Sequence, residues 1–176
     1  DKILTEKFQD TDKKFQETDK ILNAKFRETD NRIKELAKLF TTQWGKLIEA
    51  LVKPSCLKLF QNRGIKIRYT ITRMEAQLNG KQMELDIVLI NDTEAVIVEV
   101  KTTMKVEYVN DFVEKLSKFR RFFPRFNDLK VYGAMAALQY DEESDKYAYR
   151  KGFFVLKTGG ELIKITNDKK FKPKEF

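Results

Sequence analysis

The stretch "ELDIVLINDTEAVIVEVK", residues 84–101, decides the fold of this chain. Two runs of Val, Ile and Leu flank a polar break at 91–94, which is the pattern of two buried strands joined by a turn. Asp86 nevertheless lies in the first run, and Glu99 and Lys101 lie in the second. Buried charges are paired or bind a ligand, so this stretch predicts a polar site within an apolar sheet.

The position of the turn predicts which residues face each other. If the hairpin turns at residues 92–93, Asp86 lies opposite Glu99 and Glu84 lies opposite Lys101. Facing Cβ atoms are about 4.5–5.5 Å apart, and Lys101 shares the face of Glu99 because side chains alternate along a strand. Asp86, Glu99 and Lys101 are therefore expected to converge. The opposite face is expected to carry Leu85, Ile87, Leu89, Val96, Val98 and Val100.

Two carboxylates this close repel each other unless a cation lies between them. Lys101 supplies one positive charge, and a hard divalent ion, Mg²⁺ or Mn²⁺, would supply more and binds through oxygen atoms. The cluster could instead be a structural ion network. A turn at the Asn-Gly pair 79–80 would also place Arg73 opposite Asp86, and that pair alone would satisfy the carboxylate. Geometry by itself leaves these interpretations open.

Periodicity and turn residues extend the prediction in both directions. The sequence predicts helices at 41–52 and 107–123, and further strands at 65–78, 129–140 and 152–166, with a charged segment before the last that is a candidate helix. Pro54 and Pro124 are expected to end the two helices. Their apolar stripes are Trp44, Leu47, Ile48, Leu51 and Val52, and then Val109, Phe112, Val113, Leu116 and Phe123. The order predicts an α/β fold, a mixed sheet with helices packed on it.

Residues 1–40 contain no Gly or Pro and predict a long coiled-coil helix that precedes residues 41–176. Apolar and Thr side chains recur at steps of three and four, with one extra four-residue step at 22–26. This seam consists of Phe8, Thr11, Phe15, Thr18, Leu22, Phe26, Thr29, Ile33, Leu36 and Phe40. The pattern favours a homo-oligomer, with a dimer preferred. The alternative is one amphipathic helix that packs on its own domain.

Composition limits the chemistry. The 176 residues include no histidine, which excludes histidine triads and zinc-histidine sites. The single cysteine, Cys56, excludes an intrachain disulfide, fits a reducing compartment and is expected to be buried. The net charge of +8 favours a polyanionic partner. No signal peptide or membrane-spanning stretch is evident, so we expect a cytoplasmic protein without a membrane partner.

The acidic residues resemble the core motif of the PD-(D/E)XK nuclease superfamily, which includes many restriction endonucleases, Holliday-junction resolvases and repair nucleases. That motif has an acid near the start of the second strand and acid–any–Lys on the third, matched here by Asp86 and by Glu99-Val100-Lys101. The family order of helix, three antiparallel strands, helix and strand matches the predicted elements over roughly 41–140. Leu85 replaces the family's Pro, and no Gln-based motif follows Lys101, so the branch stays open.

The resemblance implies a restriction-endonuclease-like sheet and a Mg²⁺- or Mn²⁺-dependent endonuclease that hydrolyses DNA without a small-molecule cofactor. Asp86, Glu99 and the Val100 carbonyl would hold the metal, and Lys101 would orient or deprotonate the attacking water. Glu49 matches a position where many members add a third acid. Basic residues on and before the second helix are the candidate DNA contacts, and they are Lys105, Lys115, Lys118 and Arg121.

Two other functions remain open at this point. The first is a non-catalytic DNA-binding or scaffold protein on the same fold, which would need no intact Asp86, Glu99 and Lys101. The second is a coiled-coil interaction protein whose globular part only caps the assembly. Metal-dependent cleavage separates the nuclease from both, and salt-dependent DNA binding separates the two alternatives from each other.

Overall fold

The computed structural model describes residues 11–37, 39, 52–157 and 163–176 in full. For residues 2–10, 38, 40–51, 158, 159 and 162 it gives the backbone assignment alone. The chain divides into two compact units, 1–43 and 44–176. Its elements are α1 Lys2–Gln61, β1 Tyr69–Leu78, β2 Lys81–Ile90, β3 Glu94–Met104, α2 Val106–Phe122, a 3₁₀ turn Pro124–Phe126, β4 Lys130–Tyr140, α3 Ser144–Arg150, β5 Phe154–Gly159 and β6 Leu162–Ile165.

In the first unit, α1 is helical as predicted, and its apolar seam is open to solvent in the single chain. Each of these large apolar side chains is 50–69% exposed: Phe15, Leu22, Phe26, Ile33 and Leu36. Ion pairs four residues apart, Arg32 with Glu28 and Lys34 with Asp30, add some local support to the helix. Phe8 and Phe40 lie outside the fully described residues. The oligomer stays a prediction.

The expectation that Pro54 ends a helix is wrong. Helix α1 continues through Pro54 to Gln61, although an internal proline costs about 3 kcal/mol. The reason is packing: Val52, Cys56 and Phe60 are buried against the sheet, and burying one Val or Phe contributes about 1.5–3 kcal/mol. Burial also raises the pKa of the Cys56 thiol to about 12, which makes it an inert core residue, as expected. The remaining residues of the predicted stripe, Trp44, Leu47, Ile48 and Leu51, lie outside the fully described residues.

In the second unit, the described strands form one mixed six-stranded sheet in the order β1 to β6. β1, β2 and β3 are antiparallel, β3, β4 and β5 are parallel, and β6 is antiparallel to β5. Helix α2 packs on one face, where Phe112 and Leu116 contact the core that contains Ile97. Residues 52–60 of α1 cover the other face, which carries Val96 and Val98. The protein is thus α/β, as predicted.

Most predicted elements are confirmed. The segment at 152–166 forms two strands rather than one, and the charged segment before it is α3. Helix α2 buries Val109, Phe112 and Leu116 as predicted, and it also buries Phe119. Val113 is only partly buried. Within the described residues, no helix combines the length and apolar content needed to cross a bilayer.

Both hairpin registers agree with the sequence prediction. Tyr69 pairs with Ile90 across β1 and β2, and Ile87 pairs with Val98 across β2 and β3. The placement of Leu85 is wrong: it packs on the α2 side and not with Ile87 on the α1 side. The β1–β2 pairs on either side of Arg73 keep one register, but Arg73 itself has φ 54°. This left-handed residue marks a local distortion of the pleat. From that point toward the β1–β2 turn, the side chains of β2 lie on the opposite faces from those that strict alternation predicts.

Candidate active site

The sheet forks between β2 and β3. Their ladder ends at Ile87 and Val98. Beyond that pair, β2 continues alongside β1 as far as Lys81, whereas β3 continues alongside β4. At the fork, backbone N–H and C=O groups lose the partners that a continuous ladder would provide. These groups must therefore form hydrogen bonds with other partners.

Asp86 supplies one of these partners. The Val100 N–H donates to Asp86 Oδ2 at 2.7 Å. Hydrogen-bonded pairs alternate in an antiparallel ladder, and Asn91 N–H donates to the Glu94 carbonyl at the turn. Counting from that pair, Val100 would face Leu85 in a continued ladder. The carboxylate of Asp86 therefore takes the place of a strand, which holds it in the fork.

Glu99 lies on the α2 side of the fork and is buried, with 6% of its surface exposed. Lys101 Nζ donates to Glu99 Oε1 at 2.6 Å, and Lys115 Nζ donates to Oε2 at 2.7 Å. Lys101 comes from the same strand, two residues on, whereas Lys115 reaches in from α2. Each carboxylate oxygen of Glu99 thus has its own ammonium group.

The two carboxyl groups have opposite pKa shifts. Burial, followed by the nearby Glu99 charge, raises the pKa of Asp86 to about 6, against the opposing effects of the Val100 hydrogen bond and the two lysines. Burial would also raise the pKa of Glu99, but Lys115 and Lys101 together hold it below its ordinary value. The site therefore contains one firmly ionised carboxylate and one whose ionisation is costly.

Lys101 is held as an ammonium ion. Burial acts to lower its pKa, but Glu99, and behind it Asp86, raise the pKa above the ordinary value. The Tyr108 ring also lies near this ammonium, 5.8 Å from Nζ to the ring centroid. Lys101 therefore presents a positive charge beside the two carboxylates.

A structural ion network explains Glu99 but not Asp86. Among the residues that the structure describes, the Val100 N–H donates to Asp86 Oδ2, and no lysine or arginine forms a direct ion pair with this largely buried carboxylate. The charged groups that act on its pKa are Glu99, Lys101 and Lys115. The simplest structural explanation was an ion pair between Arg73 and Asp86. The Arg73 side chain is exposed, and Arg73 is not among the charged groups that shift the pKa of Asp86.

These donors fit a hard divalent ion. The fully described residues contain no group of three or more His, Cys, Asp or Glu able to hold a metal. Mg²⁺ usually needs only one or two carboxylates, with waters and substrate phosphates completing its shell. Asp86 and Glu99 meet that requirement, and the carbonyl of Val100, the residue after Glu99, is a neutral donor. Glu49 lies in α1 outside the fully described residues.

No family model and no curated protein matches this chain. A crystal structure described as a protein of unknown function, AF1548, is 20% identical with a TM-score of 0.37. The match covers 58% of this chain and 54% of that one, so the chain spans about half the length of that protein. A likeness this weak carries no argument, and the site is interpreted from its own residues.

The predicted DNA contacts occupy different environments. Lys118 and Arg121 are exposed on α2 and line a cleft of about 670 Å³ between that helix and the β1–β2 hairpin. Lys81, which is not among the predicted DNA contacts, lines the same cleft. The lining also includes three carboxylates, Glu84, Asp111 and Glu114. Lys105 is exposed just before α2.

Lys115 is the residue whose contact the sequence does not reveal. It borders the cleft, but its ammonium lies on Glu99. The only signal available beforehand was its location on an amphipathic helix that follows the acid–any–Lys strand. That pattern predicts proximity to the sheet without predicting the partner.

Proposed function

We propose that this protein is a metal-dependent deoxyribonuclease that hydrolyses phosphodiester bonds with Mg²⁺ or Mn²⁺. The observation that carries the proposal is Asp86, a largely buried carboxylate with a raised pKa that the Val100 N–H holds in the fork near Glu99 and Lys101. Side chains whose pKa is strongly shifted by burial and by nearby charges occur more often at functional sites than elsewhere in a protein. Asp86 lies near a second carboxylate and a lysine, a set of side chains that could hold a divalent ion and orient a water for phosphodiester hydrolysis.

Asp86, Glu99 and the Val100 carbonyl would hold the ion, and Glu49 remains a candidate for a further ligand. When bound, the ion would polarise a phosphate oxygen and lower the pKa of a bound water. The chain's own residues supply position and charge. Glu99 fixes the Lys101 ammonium through a 2.6 Å hydrogen bond. From there, Lys101 would orient the attacking water and offset negative charge that develops on phosphate.

The fold supports the same proposal. Element order along the chain is helix, three antiparallel strands, helix and a strand parallel to the third, which is the order of the restriction-endonuclease-like fold that the motif resembles. Asp86 is on β2 and the Glu99–Lys101 pair is on β3. The fork between those strands gives substrate and water a route to carboxylates that would otherwise be enclosed in the sheet.

The cleft along α2 would guide DNA to the fork. Lys118 and Arg121 are exposed on its wall, and Lys115 connects it to Glu99. Lys118 is paired with Glu114 on the surface, but an exposed ion pair contributes little, so a phosphate can replace that carboxylate. Lys105 extends the positive surface at the start of α2. Contacts of this kind provide affinity without sequence preference.

Nicking of supercoiled plasmid DNA tests the nuclease. We expect the wild type to cut with Mg²⁺ or Mn²⁺ and not with EDTA. We expect Lys101→Ala to reduce the rate by about a hundredfold or more, the usual scale for losing one charge-stabilising group. Lys146→Ala, at an exposed lysine of α3, is the matched control and should cut normally. Equal cutting by wild type and Lys101→Ala would contradict the proposed site.

A non-catalytic DNA-binding or scaffold protein is the second candidate. The favouring observation is that each carboxylate oxygen of Glu99 accepts a hydrogen bond from a lysine ammonium, Lys101 or Lys115. This function predicts salt-dependent binding of plasmid, branched or single-stranded DNA and no cutting of any of them with either ion.

We also infer that α1 assembles copies of the chain, with a dimer favoured. The exposed seam would be buried between helices of two copies. We expect Leu22→Glu with Ile33→Glu to give the mass of a single 20.8 kDa chain by light scattering. Asn23→Glu with Asn31→Glu adds the same charge outside the seam and should keep the wild-type mass. A single-chain mass for the wild type would contradict the inference.

A further inference from the structure

We propose that the Lys115 ammonium supplies at Glu99 the positive charge that a divalent cation would supply, and that it leaves Glu99 when such a cation binds. This inference rests on the proposed function and adds a residue that controls how tightly the metal binds. It starts from the pairing of Glu99, whose two oxygens are each held by an ammonium at 2.6 and 2.7 Å. A metal ion that bound Glu99 would need one of those oxygens.

The two lysines differ in how readily they can yield. Lys101 shares β3 and its face with Glu99, and two-residue spacing on one strand keeps the pair together. Lys115 is on α2 and joins Glu99 through a long, flexible side chain. Solvent exposure does not separate the two lysines, because the side chain of Lys101 is 34% exposed and that of Lys115 is 26% exposed. Location separates them, because Lys115 is on a different element from Glu99 and lines the cleft along α2.

The cleft gives the displaced ammonium a place to go. Lys115 lines that cleft together with Lys118 and Arg121, and three carboxylates line it as well. An ammonium that left Glu99 would remain beside two other cations, where a nucleic acid phosphate could bind it. Metal binding would then prepare the cleft for substrate, because the same event that loads Glu99 frees a phosphate-binding group.

Displacement makes Lys115 a competitor of the metal. A buried carboxylate needs a compensating charge, so the ammonium stabilises the metal-free site and must be given up on binding. Removing Lys115 also removes a positive charge that would otherwise remain near the ion. Both effects have the same sign, and the metal should bind more tightly without Lys115.

Calorimetric titration of the full chain with Mn²⁺ alone, without DNA, tests this inference. We expect Lys115→Met to bind Mn²⁺ at least about tenfold more tightly than the wild type, as expected for loss of a close competing charge. Lys118→Met removes an equal charge one turn further along the same cleft and should change the affinity by less than about twofold. Lys115→Gln is a second variant, which retains a polar side chain in case the methionine variant folds poorly.

The outcomes are distinguishable from those of the nuclease test. Unchanged or weaker Mn²⁺ binding by Lys115→Met and Lys115→Gln, with wild type that binds metal and cuts DNA, overturns this inference and leaves the nuclease intact. Equal tightening by Lys118→Met also overturns it, because the effect would then be general electrostatics. Absence of Mn²⁺ binding by every variant overturns both proposals.

Discussion

Asp86→Asn is expected to make the protein more stable at pH 8 while abolishing metal-dependent cleavage of DNA. Asparagine retains an oxygen that can accept the Val100 N–H, so the fork keeps its hydrogen bond. What the substitution removes is a charge that the fold does not favour. A stabilising substitution that abolishes activity is typical of a residue kept for function.

The expected size follows from the pKa. Asp86 has a pKa of about 6 in the folded chain against an ordinary value of 3.8, and a difference of that size corresponds to about 3 kcal/mol. The folded state binds the proton more tightly, so its stability falls as the pH rises through about 6. The gain from Asp86→Asn is therefore largest at pH 8, about half as large at pH 5, and almost absent at pH 4.

Thermal and urea unfolding in EDTA at pH 8 and pH 5 measures this effect. A gain of about 3 kcal/mol corresponds to a rise in melting temperature of roughly 6–12 °C for a chain of this size. Asp128→Asn, at an exposed carboxylate, is the control and should shift the melting temperature little. A less stable Asp86→Asn variant at pH 8 would show that the Asp86 charge supports the fold, and the main support for the nuclease proposal would be lost.

Glu99→Gln is expected to have the opposite effect on stability, a loss of about 3 kcal/mol. Glu99 is buried and each of its oxygens accepts from an ammonium. A glutamine leaves Lys101 and Lys115 without their counter-charge. We expect a loss of stability at the lower end of the range for broken buried ion pairs, because the Lys101 and Lys115 side chains are both partly exposed. Metal-dependent cleavage should also be abolished.

The pH dependence separates Glu99 from Asp86. The two lysines hold the pKa of Glu99 below its ordinary value, so its contribution is present above the unfolded-state pKa and is lost only as the pH falls through the lower folded-state pKa. The loss in Glu99→Gln should therefore be nearly equal at pH 8 and pH 5, whereas the gain in Asp86→Asn shrinks over that range.

The same unfolding measurements test Glu99→Gln, with Glu114→Gln as its control. Glu114 also accepts from a lysine, Lys118, but on the exposed surface of α2. Its replacement should change the free energy of unfolding little, because exposed pairs contribute little. If Glu99→Gln were as stable as the wild type at pH 8, the two ion pairs would not hold the site together, and the competition proposed for Lys115 would lose its basis.

The sequence by itself determined the hairpin at 84–101 and its register. Polar turn residues between two apolar runs leave one pairing that buries both runs, and a slip of one residue would turn every side chain to the other face. That constraint was sufficient to predict that Asp86 and Glu99 lie near each other. The buried stripe of α2 followed from periodicity in the same way, because helical spacing fixes which side chains share a face.

Only the tertiary structure decided the rest, because the contacts concerned join distant residues or oppose local preference. Pro54 remains inside α1 because Val52 and Phe60 pack on the sheet, which local propensity does not include. Leu85 lies on the α2 side because alternation reverses beyond the left-handed Arg73. The pairing of Lys115 with Glu99 spans 16 residues and depends on how α2 lies across the sheet. A pattern along one chain fixes faces and registers, whereas partners across a packed interface are fixed by the packing.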